Sequence, residues 1–325
     1  MTHQPRPAPA PIAVIGELNL DLMAVGLASL PQLGREVIAE SFDIVLGSAS
    51  AIFAVGVSRL GHPVSFYSKV GADDFGKRCN QLLETEGVST RHVQVDPNST
   101  TGTTIALSTV ADRALVTFLG AIAEFGYDNI PVGTLEGNQH LHMTSYFLQR
   151  RMQPAFARLF REAHASGLST SFDPNSDPAQ SWDKNIWEVI READIFFVNE
   201  DEARALTGAG DARTALDHLA SACLCAVIKM GPQGALARKN GVTAFADPFP
   251  VTVADTTGAG DSFAAGFVHA HLLGCGLQEC LRVANACGAM SATQPGGTSG
   301  QPTAAQLAQF LDIRAKETTS LLGRP

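Results

Sequence analysis

The sequence predicts an α/β protein built on a mainly parallel sheet with helices over both faces, and three observations predict it. Short continuous apolar runs alternate with helix-like stretches along most of the chain, the pattern of strands buried on both faces and joined by helical crossovers. Asp21, Asp173, Asn199 and Gly231 fall just past the ends of such runs, where ligands bind in open α/β sheets. The length of 325 residues, with 45% hydrophobic content, suits one large domain with a sizeable core and an insertion.

In chain order, residues 1–11 carry Pro5, Pro7, Pro9 and Pro11 without an apolar run. They read as a flexible tail and not as a secretion signal, so the folded domain is expected over 12–325. A first buried strand over 12–16 ends in a polar turn with Asn19 and Asp21, and a helix over 49–60, a strand over 63–69 and a helix over 75–86 follow. Strands over 141–144, 168–172, 195–198 and 226–229 then alternate with helices over 154–165, 200–206 and 212–220. A helix over 263–273 and a packing helix over 303–316, introduced by Pro302, complete the body. Two segments, 36–45 and 101–119, interrupt the alternation with β-branched and apolar residues, and Ala111-Asp112-Arg113 reads as a hairpin turn within the second. They are expected to form a small projecting sheet, whose apolar face needs a partner surface.

The net charge of −9, from 32 acidic and 23 basic residues, argues against general affinity for nucleic acid or anionic membrane, so phosphates must be held locally. No run approaches the ~20 apolar residues of a membrane helix, and a soluble, cytoplasmic protein is expected. Cys79, Cys223, Cys225, Cys275, Cys280 and Cys287 lack paired C-x-x-C spacing and read as reduced core residues. His140 and His142 share a strand face while His269 and His271 diverge on a helix, and neither pair supplies the three protein ligands of a catalytic zinc site.

The most informative stretch is Asp255-Thr256-Thr257-Gly258-Ala259-Gly260-Asp261-Ser262-Phe263. Gly258, Ala259 and Gly260 can bring backbone N–H groups close to an anion at a helix start. Asp261 in the first turn would repel bound phosphate unless it has another task, and accepting the proton of an attacking hydroxyl is that task. The alternative is a glycine-rich turn with an aspartate cap. A second stretch, Gly71 to Arg78, nearly satisfies a P-loop pattern, but Arg78 cannot ligate Mg²⁺ and Asp73 and Asp74 would repel phosphates. Asn199 and Glu202 lie one helical turn apart, either placing phosphate and water-coordinated Mg²⁺ or forming a capping box. Lys229 either reaches nucleotide phosphates or is merely solvated. Asp21, assisted by Asn19, can accept two hydrogen bonds from neighbouring sugar hydroxyls; the alternative is an Asx turn.

The nine-residue stretch resembles the C-terminal signature of the PfkB/ribokinase family of carbohydrate and nucleoside kinases. The likeness extends over roughly residues 12–315, through Gly16 to Asp21, Arg59-Leu60-Gly61, Val70 to Gly76, Asp173-Pro174-Asn175, Asn199 to Glu202 and Lys229 to Gly234. It implies a ribokinase-like fold, with the small sheet as a lid over the substrate and as a homodimer interface. It also implies ATP-dependent phosphorylation of a primary hydroxyl of a sugar or sugar-like compound, with Asp261 as base and Gly258, Ala259 and Gly260 as its anion cradle. Substrate would lie against Asn19, Asp21, Gly47 and Ser48. Nucleotide would lie against Asn199, Lys229, Gly231, Gly234, Thr257 and Asn285, Mg²⁺ would be held through water by Glu202, and a monovalent cation such as K⁺ would sit beside Asp255. The chain departs from the family at Gly47-Ser48 in place of Gly-Gly, at Ile52 in place of a sugar-binding asparagine, and after Asn175, where no arginine follows. Tyr146 and Phe147, near a glutamate of ribose-specific members, bring a nucleoside substrate into contention. A catalytically silent sugar-sensing protein is the remaining alternative.

Overall fold

A nine-stranded sheet forms the body of the protein in a computed structural model that describes residues 9–109 and 113–322. The strands along the chain are β1 (Ile12–Ile15), β2 (Asn19–Leu27), β3 (Ser41–Leu46), β4 (Val64–Gly71), β5 (Val88–Asp96), β6 (Gly102–Thr109) and β7 (Arg113–Phe118). They continue as β8 (His140–Thr144), β9 (Ser169–Asp173), β10 (Ile195–Asn199), β11 (Cys225–Lys229), β12 (Ala235–Lys239) and β13 (Val242–Ala246). The large sheet has the order β13-β12-β11-β10-β9-β8-β1-β4-β5, parallel from β11 to β5 and antiparallel at the β12 and β13 edge. This is the expected mainly parallel sheet, extended by a hairpin that turns through Asn240 (φ 50°) and Gly241 (φ 78°).

Alternating residues of each strand feed two cores. Ile12 and Val14 face one with Phe53, Phe66 and Phe267; Ala13 and Ile15 face the other with Phe156, Phe172 and Phe196. The first is covered by helices Ala49–Arg59, Ala259–Leu272 and Leu277–Ser291, the second by Phe156–Ala165, Ile186–Glu192, Glu200–Thr207 and Ala212–Ala220. Helix Ala259–Leu272 runs between two others, and Gly56 and Gly266 let the backbones approach. A Cβ on Gly56 would stand 2.8 Å from Ala265 Cβ, and one on Gly266 2.7 Å from Cys287 Sγ. Being nearly all buried, this helix carries no polar face, and no helix among the described residues is long and apolar enough to cross a membrane.

The small sheet has the order β3-β2-β6-β7. It differs from the expectation in two ways. The turn after β1 runs directly into the nine-residue strand β2, and residues 36–40 of the expected 36–45 strand lie outside β3. The strand signal was present, since Asn19 and Asp21 alternate with Leu20 and Leu22, and the segment was read as a turn instead. Asp112 and Ala111 of the expected hairpin turn lie outside the described residues, as do residues 1–8 of the expected tail. Ala10 and Pro11 are not loose: Ala10 is buried, its carbonyl accepts from His62 Nδ1 at 2.9 Å, and Pro11 O accepts from Gln139 N at 2.8 Å.

The P-loop-like turn is spent on structure, as its acids foretold. Asp73 caps helix Asp74–Thr85, accepting from Gly76 N at 2.8 Å, Thr101 N at 2.8 Å and Thr101 Oγ1 at 2.6 Å. His140 and His142 share a face as expected, both bonded to Ser171 Oγ at 2.7 Å, with His142 stacked on Phe53.

Phe172 is fully buried among the rings of Tyr146, Phe156, Phe160 and Phe196. Truncating it to alanine should lower the unfolding free energy by about 3–5 kcal/mol. Guanidinium titration of the two proteins reads this directly, and a loss under ~1 kcal/mol would show that the cluster is not the packing centre described.

Candidate active site

Gly258 adopts φ 70°, and a Cβ there would lie 2.6 Å from Gly297 Cα and 3.0 Å from Ile52 Cγ2. Only glycine fits, and helix Ala259–Leu272 starts at once behind it with no side chain capping its N-terminus. First-turn N–H groups with no side-chain partner, at the positive end of a helix, form an anion site. The approach to the helix is braced by Asp255, which accepts from Thr257 N at 2.9 Å, Thr257 Oγ1 at 2.7 Å and Gly296 N at 2.9 Å. Those bonds outweigh burial and hold the Asp255 carboxyl below the usual range.

Beside this cradle the parallel register sets side chains from three strand ends together. Asn199 of β10 pairs with Lys229 of β11, and Asp173 ends the neighbouring β9. Lys229 Nζ lies 2.5 Å from Asp173 Oδ2, and a Cβ on Gly260 would stand 3.2 Å from the same ammonium. Burial works against the Lys229 charge, yet Asp173, Glu202 and Asp261 together hold its pKa above the ordinary value. Asp261 in turn is pushed up to about 7, first by burial and then by the negative charge of Asp173, with Lys229 pulling the other way. Burial likewise raises Glu202 against the pull of Lys229.

Asn199 and Glu202 do form the capping box. Asn199 Oδ1 accepts from Glu202 N at 2.8 Å and Glu202 Oε2 accepts from Asn199 N at 2.9 Å. Glu202 Oε1 still points into the cluster, where Ser176 Oγ donates to it at 3.1 Å. The two readings are therefore compatible for Glu202, whereas the Asn199 side-chain oxygen is committed to the helix. Among the described residues no three His, Cys, Asp or Glu side chains form a metal cage. The donor set fits Mg²⁺ carried on phosphates and water, with Glu202 and Asp173 nearby, which is how that ion is usually held. The donor set at Asp255 does not fit a monovalent cation, because the carboxylate already accepts three hydrogen bonds and faces the Arg113 guanidinium 3.8 Å away.

A cavity of about 500 Å³ extends from Lys229 and Gly260 to Asn285 and Ala292, with Phe249, Val251 and Val253 on its wall. Gly231 (φ 55°) and Gly234 (φ 86°) shape its rim. Asn285 lines it but spends its amide on Ala246 O at 3.0 Å and Asp247 O at 2.9 Å, bracing the wall.

On the other side of the anion cradle lies the lid. Asn19, Asp21, Thr104 and Thr117 share one lid face by register, and Asn19 Nδ2 donates to Asp21 Oδ1 at 2.9 Å. Burial raises Asp21 to about 6 against the Asn19 bond and the Arg113 charge. A Cβ on Gly47 would collide with Asp21 Oδ1, so glycine is required there. Ser48 is tied up: its hydroxyl donates to Glu17 O at 2.9 Å and accepts from Ala51 N at 3.1 Å as the cap of helix Ala49–Arg59. Ile52 faces Gly258 and Gly297 and so packs under the cradle. Tyr146 is buried in the aromatic core, which removes it from any substrate contact, while Phe147 packs edge-on to Trp182.

Two groups went unnoticed among the sequence candidates. Glu17 is a buried carboxylate that accepts from Ser50 Oγ at 2.5 Å and Ser145 Oγ at 2.8 Å; an acid after a buried strand could have signalled it. Arg113 donates to Thr257 Oγ1 from the lid, and no local pattern links residues 144 positions apart.

Comparison with known proteins agrees with this geometry. Residues 10–304 match the model of the pfkB family carbohydrate kinases. An uncharacterized sugar kinase of Archaeoglobus fulgidus is 30% identical over 76% of this chain and 98% of its own length. An ATP-dependent ribose-1-phosphate kinase of Halopiger xanaduensis is 30% identical over 92% of this chain and 97% of its own. An E. coli protein provisionally designated ribokinase II, solved with ATP and Mg²⁺, superposes with a TM-score of 0.82 at 25% identity, covering 94% of this chain and 99% of that one. Fold, phosphate cradle and family match coincide over the same residues: the chain belongs to the pfkB family of carbohydrate kinases.

Proposed function

We propose that this carbohydrate kinase transfers the terminal phosphoryl of ATP to a primary hydroxyl of a sugar, with Asp261 as the general base. The observation that carries the reading is the place of Asp261, a carboxylate with its pKa raised to about 7 in the first turn of the uncapped helix, next to Gly260, which lines the cavity of about 500 Å³. The cavity would take the nucleotide, its phosphates reaching Lys229 and the cradle of Gly258, Ala259 and Gly260, while Thr257, expected as a nucleotide contact, spends its N–H and hydroxyl on Asp255 and braces the loop. Gly231 and Gly234 would border the sugar and base of the nucleotide, and Asn285 would support that wall. Mg²⁺, when bound, would bridge phosphate oxygens and offset their charge, near Glu202 and Asp173. Asn19 and Asp21 would bind two acceptor hydroxyls and leave a third facing Asp261. The N–H groups of Gly260 and Asp261 would stabilise charge on the moving phosphoryl, the Ala259 N–H being donated to Thr256 O at 3.2 Å, and the lid would exclude water.

A sugar is favoured over a nucleoside because Tyr146 is sealed in the core and the lid face offers Asn19, Asp21, Thr104 and Thr117, groups suited to hydroxyls. The reading needs no monovalent cation at Asp255. The six cysteines are all unpaired thiols, which suits the reducing cytoplasm. The opposite lid face carries Phe42, Ile44, Ile105, Val116 and Phe118, all exposed and on one side by register, and we assign it to a second copy of the chain.

Three outcomes test these assignments. ADP release from MgATP across pentoses, hexoses, sugar acids and nucleosides should show a sugar acceptor, and Asp261→Ala should lower kcat about 10²–10⁴-fold with the fold retained. Thermal stabilisation by sugars without ADP release would instead indicate a silent sensor.

The base must be ionised, so kcat/KM should rise with pH through an ionisation near 7. The sign for stability is opposite. Raised from its usual 3.8 to about 7, Asp261 holds its proton more tightly in the folded state, so its ionisation weakens the fold as pH climbs between those values. Asp261→Asn should therefore gain in Tm over the parent progressively from pH 4 to 7 and hold that gain above 7; a pH-independent difference would refute the assigned ionisation.

For the lid, sedimentation should give a dimer, and the double variant Phe42→Asp, Val116→Asp should give a monomer. A monomeric parent protein would remove the second copy from the assignment.

A further inference from the structure

Arg113 opens β7 on the lid, and its guanidinium reaches across the acceptor pocket to the loop before the catalytic helix. There it donates to Thr257 Oγ1 and stands 3.8 Å from Asp255 Oδ1. Thr257 Oγ1 donates onward to Asp255 Oδ1 at 2.7 Å, so one hydroxyl joins the lid cation to the carboxylate that braces the cradle.

The charges around the site are unevenly met. Glu17, Asp173, Glu202 and Asp261 gather on the sheet side, and Lys229 is their cation, already 2.5 Å from Asp173. Asp21 and Asp255 lie on the lid side, and the cation acting on both is Arg113. A phosphoryl group in transit adds negative charge where these two groups of carboxylates meet. Lys229 cannot serve both, because its ammonium is committed to the strand-end cluster. Arg113 is 38% exposed at its side chain, so water competes for its contact with the loop and the contact is available to rearrange if the lid moves.

We propose that Arg113 is a positioning residue for phosphoryl transfer, a lid cation that docks on Thr257 and offsets Asp255, so that closing the lid also prepares the anion cradle. The proposal rests on the phosphoryl-transfer reading above. It assigns Arg113 to kcat more than to nucleotide affinity, because the cavity walls are made by other residues. Arg113 Nη1 faces both the Thr257 hydroxyl and the Asp255 carboxylate, so a lysine ammonium on a stem of different length should meet them in part.

The test compares the parent protein with Arg113→Met, Arg113→Lys and Arg113→Ala, measuring kcat, KM for ATP, KM for the sugar acceptor and Tm. Arg113→Met is expected to lower kcat about tenfold or more with KM for ATP changed less than about threefold and Tm unchanged. Arg113→Lys should recover a part, and methylguanidinium added to Arg113→Ala should restore turnover in a saturable way without altering Tm. Full turnover in Arg113→Met, or a loss of kcat that neither lysine nor methylguanidinium relieves, overturns the proposal. A parent protein that phosphorylates no acceptor overturns the phosphoryl-transfer reading itself, and this proposal with it, so the two failures are told apart by the parent's activity.

Discussion

The pairing of Lys229 with Asp173 is the interaction on which the rest of the site depends. The two residues end β11 and β9, two strands apart with β10 between them, and the long Lys229 side chain reaches past β10 to put its ammonium 2.5 Å from Asp173 Oδ2. Both are withdrawn from water, Asp173 almost completely at 1% exposure, so each alone would be a severe burden on the fold. Together they form a fixed dipole facing the helix start. Burial first, and then the negative charge of Asp173 with smaller parts from Glu17 and Glu202, raises the Asp261 carboxyl to about 7, and Lys229 offsets this only in part. A base of that strength is matched to a hydroxyl acceptor at physiological pH in a way that an ordinary aspartate is not. On the proposed reading, the burial that raises Asp261 is part of the chemistry, and carboxyls so shifted cluster at functional sites.

Helix Ala259–Leu272 converts this local charge pattern into a precise position. It is buried almost throughout and wedged between helices Ala49–Arg59 and Leu277–Ser291, with Gly56 and Gly266 setting the spacing. A helix held that way has no freedom to slide, so its N-terminal N–H groups stay where the cradle needs them. Gly258 and Gly297 close against Ile52 beneath it. Ile52 thus serves the cradle from the side where relatives were expected to present a polar group to sugar, and the hydroxyls of the acceptor must be met from the lid.

Much of this was legible in the sequence, and what was not has physical causes. The body strands and helices announced themselves because strands buried on both faces are continuous apolar runs, and the cradle announced itself because three small residues before an acid at a helix start have few other uses. β2 carried the alternation of a half-buried strand, Asn19 and Asp21 against Leu20 and Leu22, and was missed because the polar residues straight after β1 were read as a turn. The edge hairpin of β12 and β13 was signalled by Asn240-Gly241, a turn pair that needs no long-range information, and was simply overlooked. Ser48 and Asn285 were offered as binding residues, but sequence could not tell that their polar atoms are spent on a helix cap and on two backbone carbonyls. Tyr146 was misplaced for a similar reason, since a residue just past a strand end can turn inward as easily as outward.

Arg113 is the clearest limit on local reading. Its sequence neighbourhood is a lid strand edge, and its meaning comes only from the 144-residue jump to Thr257. That jump explains how a site crowded with carboxylates can accept polyphosphate at all. The sheet contributes one cation and spends it on keeping the strand ends together; the lid contributes the other, and only when it lies over the pocket. On the proposed reading, such a division would make an open site electrostatically unfavourable to phosphoryl transfer and would hold back hydrolysis of ATP without acceptor.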